Sequence, residues 1–420
     1  MKNALPVVLL ILLTVQTALG KEAPSAPKWL FKSDGEKCYR IPGVITTGTT
    51  LIAVAERRFG SVRPSAVPAA RSDSVNEDVD FNSAKCSDWG YVDIVGRRSN
   101  DGGKTWGEEQ TLIDHRQFLS EPYEIALSGN PTPVDAGDRV LLLFVVSRSS
   151  TQYNGGDCAG GKPPGKCGEQ YDYAIWMIES TDTFTTWTTP RRIDLSKSGS
   201  GAARVGPGHG IRLSNGELLM PGYPWLLKSG DGGQTWRTAA AARLSPLRGD
   251  ETAVVELSPG TVWSTLRPNK KTAAENHARY PFRLSAYSSD WGETYESVEI
   301  DQNFHAPKVE AGAIRYRGDV VVSYPASGLP SSQRDPLKEK IEHRRNLTLA
   351  ISSDNAKTWS HCQINSTSAG YSDMAETENG ILLIYEGNAG HYLRDDTRQG
   401  IVYTTIPSSY IFSCDNTNRQ

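Results

Sequence analysis

The stretch SNDGGKTW, residues 99–106, decides how this chain folds, because its pattern returns along the sequence. The pattern is Ser-x-Asp-x-Gly-x-Thr-aromatic. It is complete again in SGDGGQTW from Ser229 and SSDWGETY from Ser288, and degenerate in STDTFTTW from Ser180 and SSDNAKTW from Ser352. Successive copies begin 81, 49, 59 and 64 residues apart. Repeats at such intervals predict an array of similar supersecondary units.

We term each copy an Asp box and interpret it as a hairpin turn that pins two strands. The Ser and Asp side chains bond backbone N–H groups of the turn, and the glycine supplies a positive φ. The Thr and the aromatic residue begin the next strand, with the ring packed inward. Two copies carry Phe184 or Ala356 in place of the glycine. We therefore expect the box aspartates to be structural and not catalytic.

The composition favours a turn-rich β protein. A chain of 420 residues is too long for one compact core of ordinary shape. It has 39 glycines and 24 prolines and no long apolar stripe of helical period. Its strand-like runs are short and bounded by turn residues: Leu51–Ala55, Val140–Ser147, Ala174–Glu179, Gly318–Tyr324 and Ile381–Tyr385. This is typical of a β-propeller or a β-sandwich, and the Asp-box repeat favours the propeller.

The N-terminus predicts export. One basic residue, Lys2, precedes an apolar run from Ala4 to Leu19 and an Ala-x-Gly end, so residues 1–20 resemble a secretory signal peptide. A signal anchor is the alternative, although the run is short for spanning a membrane. With no second hydrophobic segment, we expect a soluble protein that is secreted or lumenal, with the lysosome included. The net charge of −3 and the lack of a basic stripe make nucleic acid an unexpected partner.

The six cysteines also fit an oxidising compartment. Cys158 and Cys167 flank a Gly/Lys/Pro loop and are predicted to form a bridge. The other four, which are Cys38, Cys86, Cys362 and Cys414, allow three pairings. Asn346-Leu-Thr and Asn365-Ser-Thr are predicted glycosylation acceptors. The seven histidines show no HxxxH or HExxH spacing and the chain has no CxxC, so no metal site is predicted.

A second set of motifs lies around the Asp boxes. It comprises YRIP (39–42), AERR (55–58), DWG (88–90), RRNLT (344–348) and YSD (371–373). Together with the Asp boxes, these motifs resemble the sialidase (neuraminidase) family, above all the animal-type exo-sialidases, including the lysosomal kind. The resemblance covers about residues 39–392.

The resemblance implies an all-β fold, a six-bladed β-propeller with four-stranded antiparallel blades, as one catalytic domain over residues 30–415. It places the site at the mouth of the central channel, with the Asp boxes on the far side. It also implies a retaining exo-α-sialidase that needs no cofactor. Its substrates would be terminal sialic acids on glycoproteins, oligosaccharides and gangliosides.

Sialic acids carry a carboxylate on the anomeric carbon, and the family binds it with three arginines from different blades. By motif these are Arg40, Arg267 and Arg344, with Arg345 as the alternative to Arg344. A planar guanidinium pairs bidentately with a carboxylate and never loses its charge. Glu386 matches the family residue that braces the first arginine.

The nucleophile of the family is a tyrosine, since an anionic carboxylate would be repelled by the carboxylate of the substrate. Tyr371 matches it, and Glu251 matches the partner that draws the proton from a phenol of pKa near 10. The acid/base is predicted to be Asp88, which must hold a proton to expel the leaving alcohol, so we expect activity to peak at acidic pH. The alternatives to Asp88 are Asp73, Asp78 and Asp80, which lie in the inserted stretch Phe59–Ser87 before it.

Four further residues match the pocket of the family. Glu56 and Arg58 match residues near the ring hydroxyl opposite the glycerol tail. Tyr223 and Trp225 match aromatic residues that face the glycerol chain or the leaving sugar, with core packing as their alternative.

Three other functions fit parts of the pattern: a trans-sialidase, a non-catalytic sialic-acid lectin of the same fold, and a structural propeller. Known trans-sialidases carry an extra lectin-like domain, for which we expect no room after Tyr392. The matched Tyr371 and Asp88 disfavour the lectin, and three arginines placed by motif disfavour the structural propeller.

Overall fold

The computed structural model describes residues 22–34, 36–59, 86, 90–120, 125–149, 171–196, 203–240, 247, 249–268, 282–326, 344–387 and 400–416. Three sequence predictions lie outside these residues: the signal peptide, Asp88 with its three alternatives, and the Cys158–Cys167 bridge.

The described residues form mostly strands. The first are β1 (Lys28–Lys32), β2 (Cys38–Thr47), β3 (Thr50–Arg58), β4 (Val92–Ser99), β5 (Gln110–Ile113), β6 (Ile125–Asp135), β7 (Val140–Ser149), β8 (Tyr171–Ser180) and β9 (Arg191–Arg192). Next come β10 (Arg204–Val205), β11 (Ile211–Arg212), β12 (Leu218–Met220), β13 (Gly222–Tyr223), β14 (Leu227–Ser229), β15 (Arg237–Thr238), β16 (Gly249–Ser258), β17 (Thr261–Pro268) and β18 (Phe282–Ser288). The last are β19 (Ser297–His305), β20 (Gly312–Tyr316), β21 (Asp319–Pro325), β22 (Leu347–Ser352), β23 (Ser360–Gln363), β24 (Ala369–Thr377), β25 (Gly380–Gly387) and β26 (Gly400–Pro407).

Helical structure is limited to a 3₁₀ turn at His115–Phe118 and a C-terminal helix α1 (Ser408–Asn416) within the described ranges. None of the helices described is long and apolar enough to cross a membrane. Four of the five strand-like runs predicted from the sequence lie within β3, β7, β8 and β25, and the fifth, Gly318–Tyr324, begins one residue before β21. Strand β25 is buried along its whole length, which explains why its apolar run Ile381–Tyr385 is continuous instead of alternating.

Antiparallel pairing joins the strands into sheets. Strands β11, β12, β14 and β15 form one four-stranded sheet, β16 to β19 form another, and β20 to β23 a third. An eight-stranded sheet contains β2 to β5 and β6 to β9, and its halves meet in one parallel pair, Val92 with Leu127. Strands β10 and β13 form a separate pair. The remaining sheet has the order β1, β26, β25, β24, so the first strand of the chain completes the last sheet.

The hydrophobic core lies between consecutive sheets and between the two halves of the eight-stranded sheet. One cluster joins β3 to β7, the next joins β7 to β12 and β14, and a third joins β12 to β17. Others join β17 to β21 and β21 to β25, and a final cluster joins β25 and β26 back to β3. Because this series returns to its starting strand, the sheets form a ring. The prediction of an all-β, propeller-like arrangement is confirmed.

All five Asp boxes form turns between the third and fourth strands of a sheet or half-sheet. In the first box, the Gly103 amide donates to Ser99 Oγ at 2.9 Å. The Thr105 amide and hydroxyl donate to the two carboxylate oxygens of Asp101 at 2.9 and 2.5 Å. These bonds from Thr105 lower the pKa of Asp101 to about 2. The box carboxylate is therefore an acceptor that closes the turn, as predicted.

The two degenerate boxes keep the same backbone. The glycines of two complete boxes, Gly103 and Gly233, have φ of 85° and 89°. At the matching position Phe184 and Ala356 have φ of 80° and 63°, a region that costs a residue with a side chain about 1–2 kcal/mol. Phe184 is fully buried over Gly96, where an added Cβ would lie 2.4 Å from the ring. Packing of the ring offsets the strain.

Two disulfides resolve the pairing that the sequence left open. Cys38 pairs with Cys86 and Cys362 with Cys414, with Cα–Cα distances of 5.3 and 5.9 Å. The first bridge ties the start of β2 to the segment after β3, and the second ties α1 to β23.

Candidate active site

Bulges interrupt the first strands of several sheets at one end. Pairing shifts register between Arg40 and Gly43 in β2 and between Gly129 and Thr132 in β6. It also shifts at Asp250–Thr252 in β16 and at Ala369–Ser372 in β24. A bulge bends its strand and redirects a side chain. Three of the bulges bring Arg40, Glu251 and Tyr371 to one site, and the bulge of β6 brings the Asn130 amide to Glu56.

Tyr371, in the bulge of β24, is the centre of this site and only 5% exposed. Its hydroxyl donates to Glu251, with distances of 3.0 and 2.9 Å to the two carboxylate oxygens. Arg267, near the end of β17, donates from Nη1 to the same phenol oxygen at 2.9 Å. The same Nη1 lies 2.6 Å from Glu251 Oε2, and Nη2 lies 3.6 Å from Asp250 Oδ2. A phenol, a carboxylate and a guanidinium therefore meet at one point.

Burial controls the acidity of this group. It raises the pKa of Tyr371 well above its ordinary value, and the charge of Glu251 adds to the rise, while the site arginines oppose it. Burial also raises the pKa of Glu251, against the pull of Arg267. A carboxylate with a raised pKa is a stronger base. Glu251 is thus suited to accept a proton from Tyr371, whereas a free phenolate is disfavoured at rest.

Arg40 and Arg344 flank the tyrosine ring. Each guanidinium carbon lies 5.5 Å from the ring centroid of Tyr371. Arg40 Nε donates to Glu386 Oε1 at 3.0 Å and Nη2 to Oε2 at 3.3 Å. Arg344 Nη1 lies 4.0 Å from the same carboxylate, and its Nη2 donates to the Lys308 carbonyl at 3.0 Å. One fully buried glutamate thus faces two arginines.

The backbone beside Arg40 is strained in support of this arrangement. Ile41 has a φ of 57°, a genuine outlier for a β-branched residue. Its amide donates to Glu386 Oε1 at 3.0 Å. The strained turn therefore adds a second donor to the carboxylate that holds Arg40. Of the two arginines of the RRNLT motif, Arg344 contacts the site, while Arg345 pairs through its backbone with Ser368.

Glu56 and Arg58 form a buried pair on β3. Arg58 Nε donates to Glu56 Oε2 at 2.7 Å, and its Nη1 donates to the carbonyl of the disulfide residue Cys86 at 2.8 Å. The other oxygen of Glu56 accepts from the Asn130 amide at 2.8 Å. Asn130 has a φ of 51° in the bulge of β6, and its side chain donates to the Val205 carbonyl at 3.1 Å. It therefore links this pair to β10.

The two predicted aromatic residues lie on and beside the β10–β13 pair. Tyr223 accepts a hydrogen bond from Arg204 Nη1 at 2.8 Å. The Arg204 guanidinium also lies 5.2 Å from the Tyr173 ring centroid and 5.3 Å from that of Tyr223. Trp225 packs against the cluster between β7 and β14, which is the core alternative weighed from the sequence.

The structure therefore brings Arg40, Arg267, Arg344, Tyr371, Glu251 and Glu386 together, while Asp88 lies outside the described residues. Sequence reasoning missed Asn130, Arg204 and His209. Asn130 stands between Gly129 and Pro131, a turn signal inside a strand pattern that could have indicated a bulge. His209 Nδ1 lies 2.7 Å from Asp373 Oδ1, two residues after Tyr371. No motif spacing in the sequence links His209 to Asp373.

One cluster of described residues has the composition of a metal site. Asp93, Asp114 and His115 bring one potential ligand atom each within 4.8 Å of one another. Asp93 already accepts from Arg57 Nη2 at 2.7 Å and lies 2.7 Å from His115 Nδ1. These contacts explain why the three residues cluster: they form an ion-paired network around Asp93.

Comparison with known proteins identifies the family. Residues 83–384 match the family described as the BNR repeat-like domain. This chain belongs to that family. Among curated relatives, an exo-alpha-sialidase from Aspergillus fumigatus is 30% identical over 70% of this chain, and a sialidase from Bacteroides fragilis is 25% identical over 63%. Human sialidase-4 is 24% identical over 62%. The alignments span 65%, 44% and 50% of those relatives' own lengths.

Solved structures agree in fold. The Hadza microbial sialidase Hz136 superposes with a TM-score of 0.62 at 20% identity, covering 88% of this chain and 65% of that one. The intramolecular trans-sialidase from Ruminococcus gnavus, in complex with oseltamivir carboxylate, superposes with a TM-score of 0.60 at 15% identity, covering 90% and 96%. The resemblance to sialidases predicted from the motifs is confirmed, and the closer likeness to the animal type stays a prediction.

Proposed function

We propose that this protein is a retaining exo-α-sialidase that hydrolyses terminal sialic acids from glycoproteins, oligosaccharides and gangliosides. The observation that carries the proposal is the contact of Tyr371 with Glu251 and Arg267 between two further arginines. A non-catalytic lectin would need cations for the carboxylate but no phenol bonded to a buried base. The sialidase relatives support the same activity.

In this proposal Arg40, Arg267 and Arg344 bind the substrate carboxylate. Each charge-assisted hydrogen bond contributes roughly 1.5–3 kcal/mol, so three cations select a carboxylated sugar over a neutral one. Arg40 and Arg344 stay in place because Glu386 faces both. Glu56, Arg58 and Tyr223 line the rest of the pocket around the sugar.

The Tyr371 oxygen attacks the anomeric carbon while its proton passes to Glu251, and the bond to the leaving oxygen breaks. Tyr371 carries no net charge before attack, so the substrate carboxylate does not repel it. Below its raised pKa Glu251 is protonated and cannot accept this proton. Activity therefore falls on the acid side as the pH drops through that value.

Asp88 is proposed to protonate the leaving oxygen and then to draw a proton from the water that hydrolyses the glycosyl-tyrosine. Hydrolysis returns the proton from Glu251 to Tyr371. Two displacements at the same carbon retain its configuration.

The test is release of a fluorophore from a 2-α-sialoside by the full chain and by Tyr371→Phe. We expect turnover in the native protein and a loss of at least about 10²-fold in the variant, because phenylalanine has no oxygen to attack the anomeric carbon. Tyr410→Phe is the matched control, since it removes a hydroxyl on α1 that donates to the Gln363 carbonyl at 3.5 Å. Turnover that survives in Tyr371→Phe would contradict the nucleophile, and binding of sialic acid without turnover would favour a lectin.

Two further proposals concern the whole molecule. We infer a six-bladed propeller in which the eight-stranded sheet is two blades joined at Val92 and Leu127. In support, the described residues show one parallel pair between its halves. We also propose export, with the lysosome or the extracellular space as destination, and the two disulfides suit an oxidising compartment.

A further inference from the structure

Glu310 is a buried acid that the proposed mechanism does not use. It lies just before β20 and is 0% exposed. Neither of its carboxyl oxygens has a hydrogen-bond partner among the described residues. Oε1 faces Gly208, where an added Cβ would lie 3.2 Å away. An ionised carboxylate left without partners in a protein interior costs several kcal/mol.

Three other buried glutamates in the same region are all partnered. Glu56 is bonded to Arg58, Glu251 to Tyr371 and Arg267, and Glu386 to Arg40. Each of these three carboxyl groups therefore has at least one donor. Glu310 stands apart, so its environment fits a neutral carboxylic acid.

The charged groups around Glu310 leave little compensation. Asp373 on β24 and Glu251 on β16 are like charges, and Asp373 is already paired with His209. Arg283 on β18 is the opposing cation. The Ser372 amide is near enough to favour the charged form, but it makes no hydrogen bond with either carboxyl oxygen. Burial outweighs both attractions and raises the pKa of Glu310 well above its ordinary value.

Glu310 is coupled to the tyrosine through its neighbour. Val309 packs with Ile41 and Tyr371 in one small buried cluster. The Val309 carbonyl accepts from Arg283 Nη1 at 2.7 Å, and Arg283 Nε donates to Thr265 Oγ1 at 2.8 Å. If Glu310 ionised, it would attract Arg283 away from the Val309 carbonyl. Val309, which packs against Tyr371, would then shift.

We propose that protonated Glu310 is a positioning residue that supports Tyr371. Ionisation of Glu310 then ends the active pH range on the alkaline side. The effect on activity rests on the proposed sialidase function. The protonation of Glu310 in the folded protein does not.

The first test is the pH profile of kcat and kcat/KM for Glu310→Gln, which keeps the shape and stays neutral. We expect the alkaline limb to move upward by about one pH unit or more, towards the limit set by loss of the Asp88 proton, with the acid limb, which Glu251 governs, in place. Glu376→Gln on the exposed end of β24 is the matched control and should leave both limbs unmoved. An alkaline limb that stays in place in Glu310→Gln overturns the proposal. If that variant does not fold, Glu310→Met, which is similar in length and cannot ionise, carries the same expectation.

The second test needs no activity. A carboxyl whose folded pKa lies above its unfolded pKa contributes stability below the unfolded value and loses it as the pH rises through the folded value. The Tm of Glu310→Gln relative to the native protein should therefore rise with pH through this window, and that of Glu376→Gln should not. Native protein at neutral pH should also show an infrared band of a protonated carboxyl that is absent in Glu310→Gln. The proposal is overturned if the infrared band is missing and the Tm difference between Glu310→Gln and the native protein does not change with pH. If that Tm difference rises with pH but the native protein shows no turnover, only the sialidase function is contradicted.

Discussion

Each arginine near Tyr371 is held by a contact that fixes its charge in space. Arg40 is bonded to Glu386, Arg267 to Glu251, and Arg344 to a backbone carbonyl and the edge of Glu386. Like charges so close together repel, and the two buried carboxylates reduce that repulsion. The site is thereby prepared for an anion before any substrate arrives, which is the condition for electrostatic stabilisation without reorganisation.

Glu386→Gln tests this balance. It removes the negative charge from a fully buried position that Arg40 contacts at 3.0 Å. Removing one partner of a buried pair costs about 3–5 kcal/mol. We expect a lower Tm and a KM for a sialoside raised at least about tenfold, with a smaller change in kcat, because Arg40 loses its orientation for the substrate carboxylate. Steady-state kinetics and thermal unfolding measure both.

Glu299→Gln, an exposed glutamate on β19, is the control and should change neither value. An unchanged KM in Glu386→Gln would mean that Arg40 is held by other contacts.

Residues carried by a motif could be predicted, and residues placed by packing could not. Arg40 and Tyr371 stand in YRIP and YSD, and the structure brings them together. Glu310 and Asn130 stand in no motif, and their importance depends on burial and on a bulge that only the folded chain defines. Asp88 remains a prediction from its motif.

At the scale of elements, the two ends of a sheet have different roles. Bulges at one end of the first strands carry Arg40, Glu251 and Tyr371. The turns between third and fourth strands carry the Asp boxes, whose carboxylates are engaged by their own Thr side chains. Residue type alone does not distinguish a structural carboxylate of an Asp box from a carboxylate of the site. The element on which the residue lies does.

Asp231→Ala tests the structural role of a box. Asp231 accepts from the Thr235 amide and hydroxyl at 2.9 and 2.5 Å, in an exposed turn. Loss of these bonds should destabilise the protein by about 1 kcal/mol, with kcat/KM unchanged at temperatures where the protein is folded. Chemical denaturation and sialoside turnover give the two values. Asp138→Ala, which breaks an exposed pair with Arg139, is the control, with an expected cost below about 0.5 kcal/mol. A folded Asp231→Ala protein without turnover would assign the box to function.

Long, largely buried strands such as β7, β8 and β25 could be predicted from the sequence, whereas the shortest strands could not. β10 and β13 contain two residues each, too few for any periodic pattern. Phe184 shows a second limit. Its side chain replaces the expected glycine, and only the space above Gly96 explains how the turn accepts it.

At the scale of the whole molecule, the ring closes by long-range pairing. Lys28 of β1 pairs with Tyr403 of β26, and Lys32 pairs with Gly400. The motif repeat predicts a ring but does not identify the strand that completes it, because β1 precedes the first Asp box and has no repeat partner. The closure also adds a strand to β26, which would otherwise present an unpaired edge. Strand β2 with Arg40 follows directly after this joint.

Phe31→Ala tests whether this closure stabilises the ring. Phe31 is 1% exposed, stacks on Tyr39 with ring centroids 5.5 Å apart, and belongs to the cluster that joins the first and last sheets. Truncation of a buried phenylalanine costs about 3–5 kcal/mol. We expect the urea midpoint to fall accordingly and turnover to be lost at the same denaturant concentration, since opening the joint displaces β2. Phe412→Ala, at a ring on α1 that is 38% exposed, should cost less than about 1 kcal/mol. If both variants unfolded at the native midpoint, closure by β1 would contribute little, and the ring would be held by the remaining clusters between its sheets.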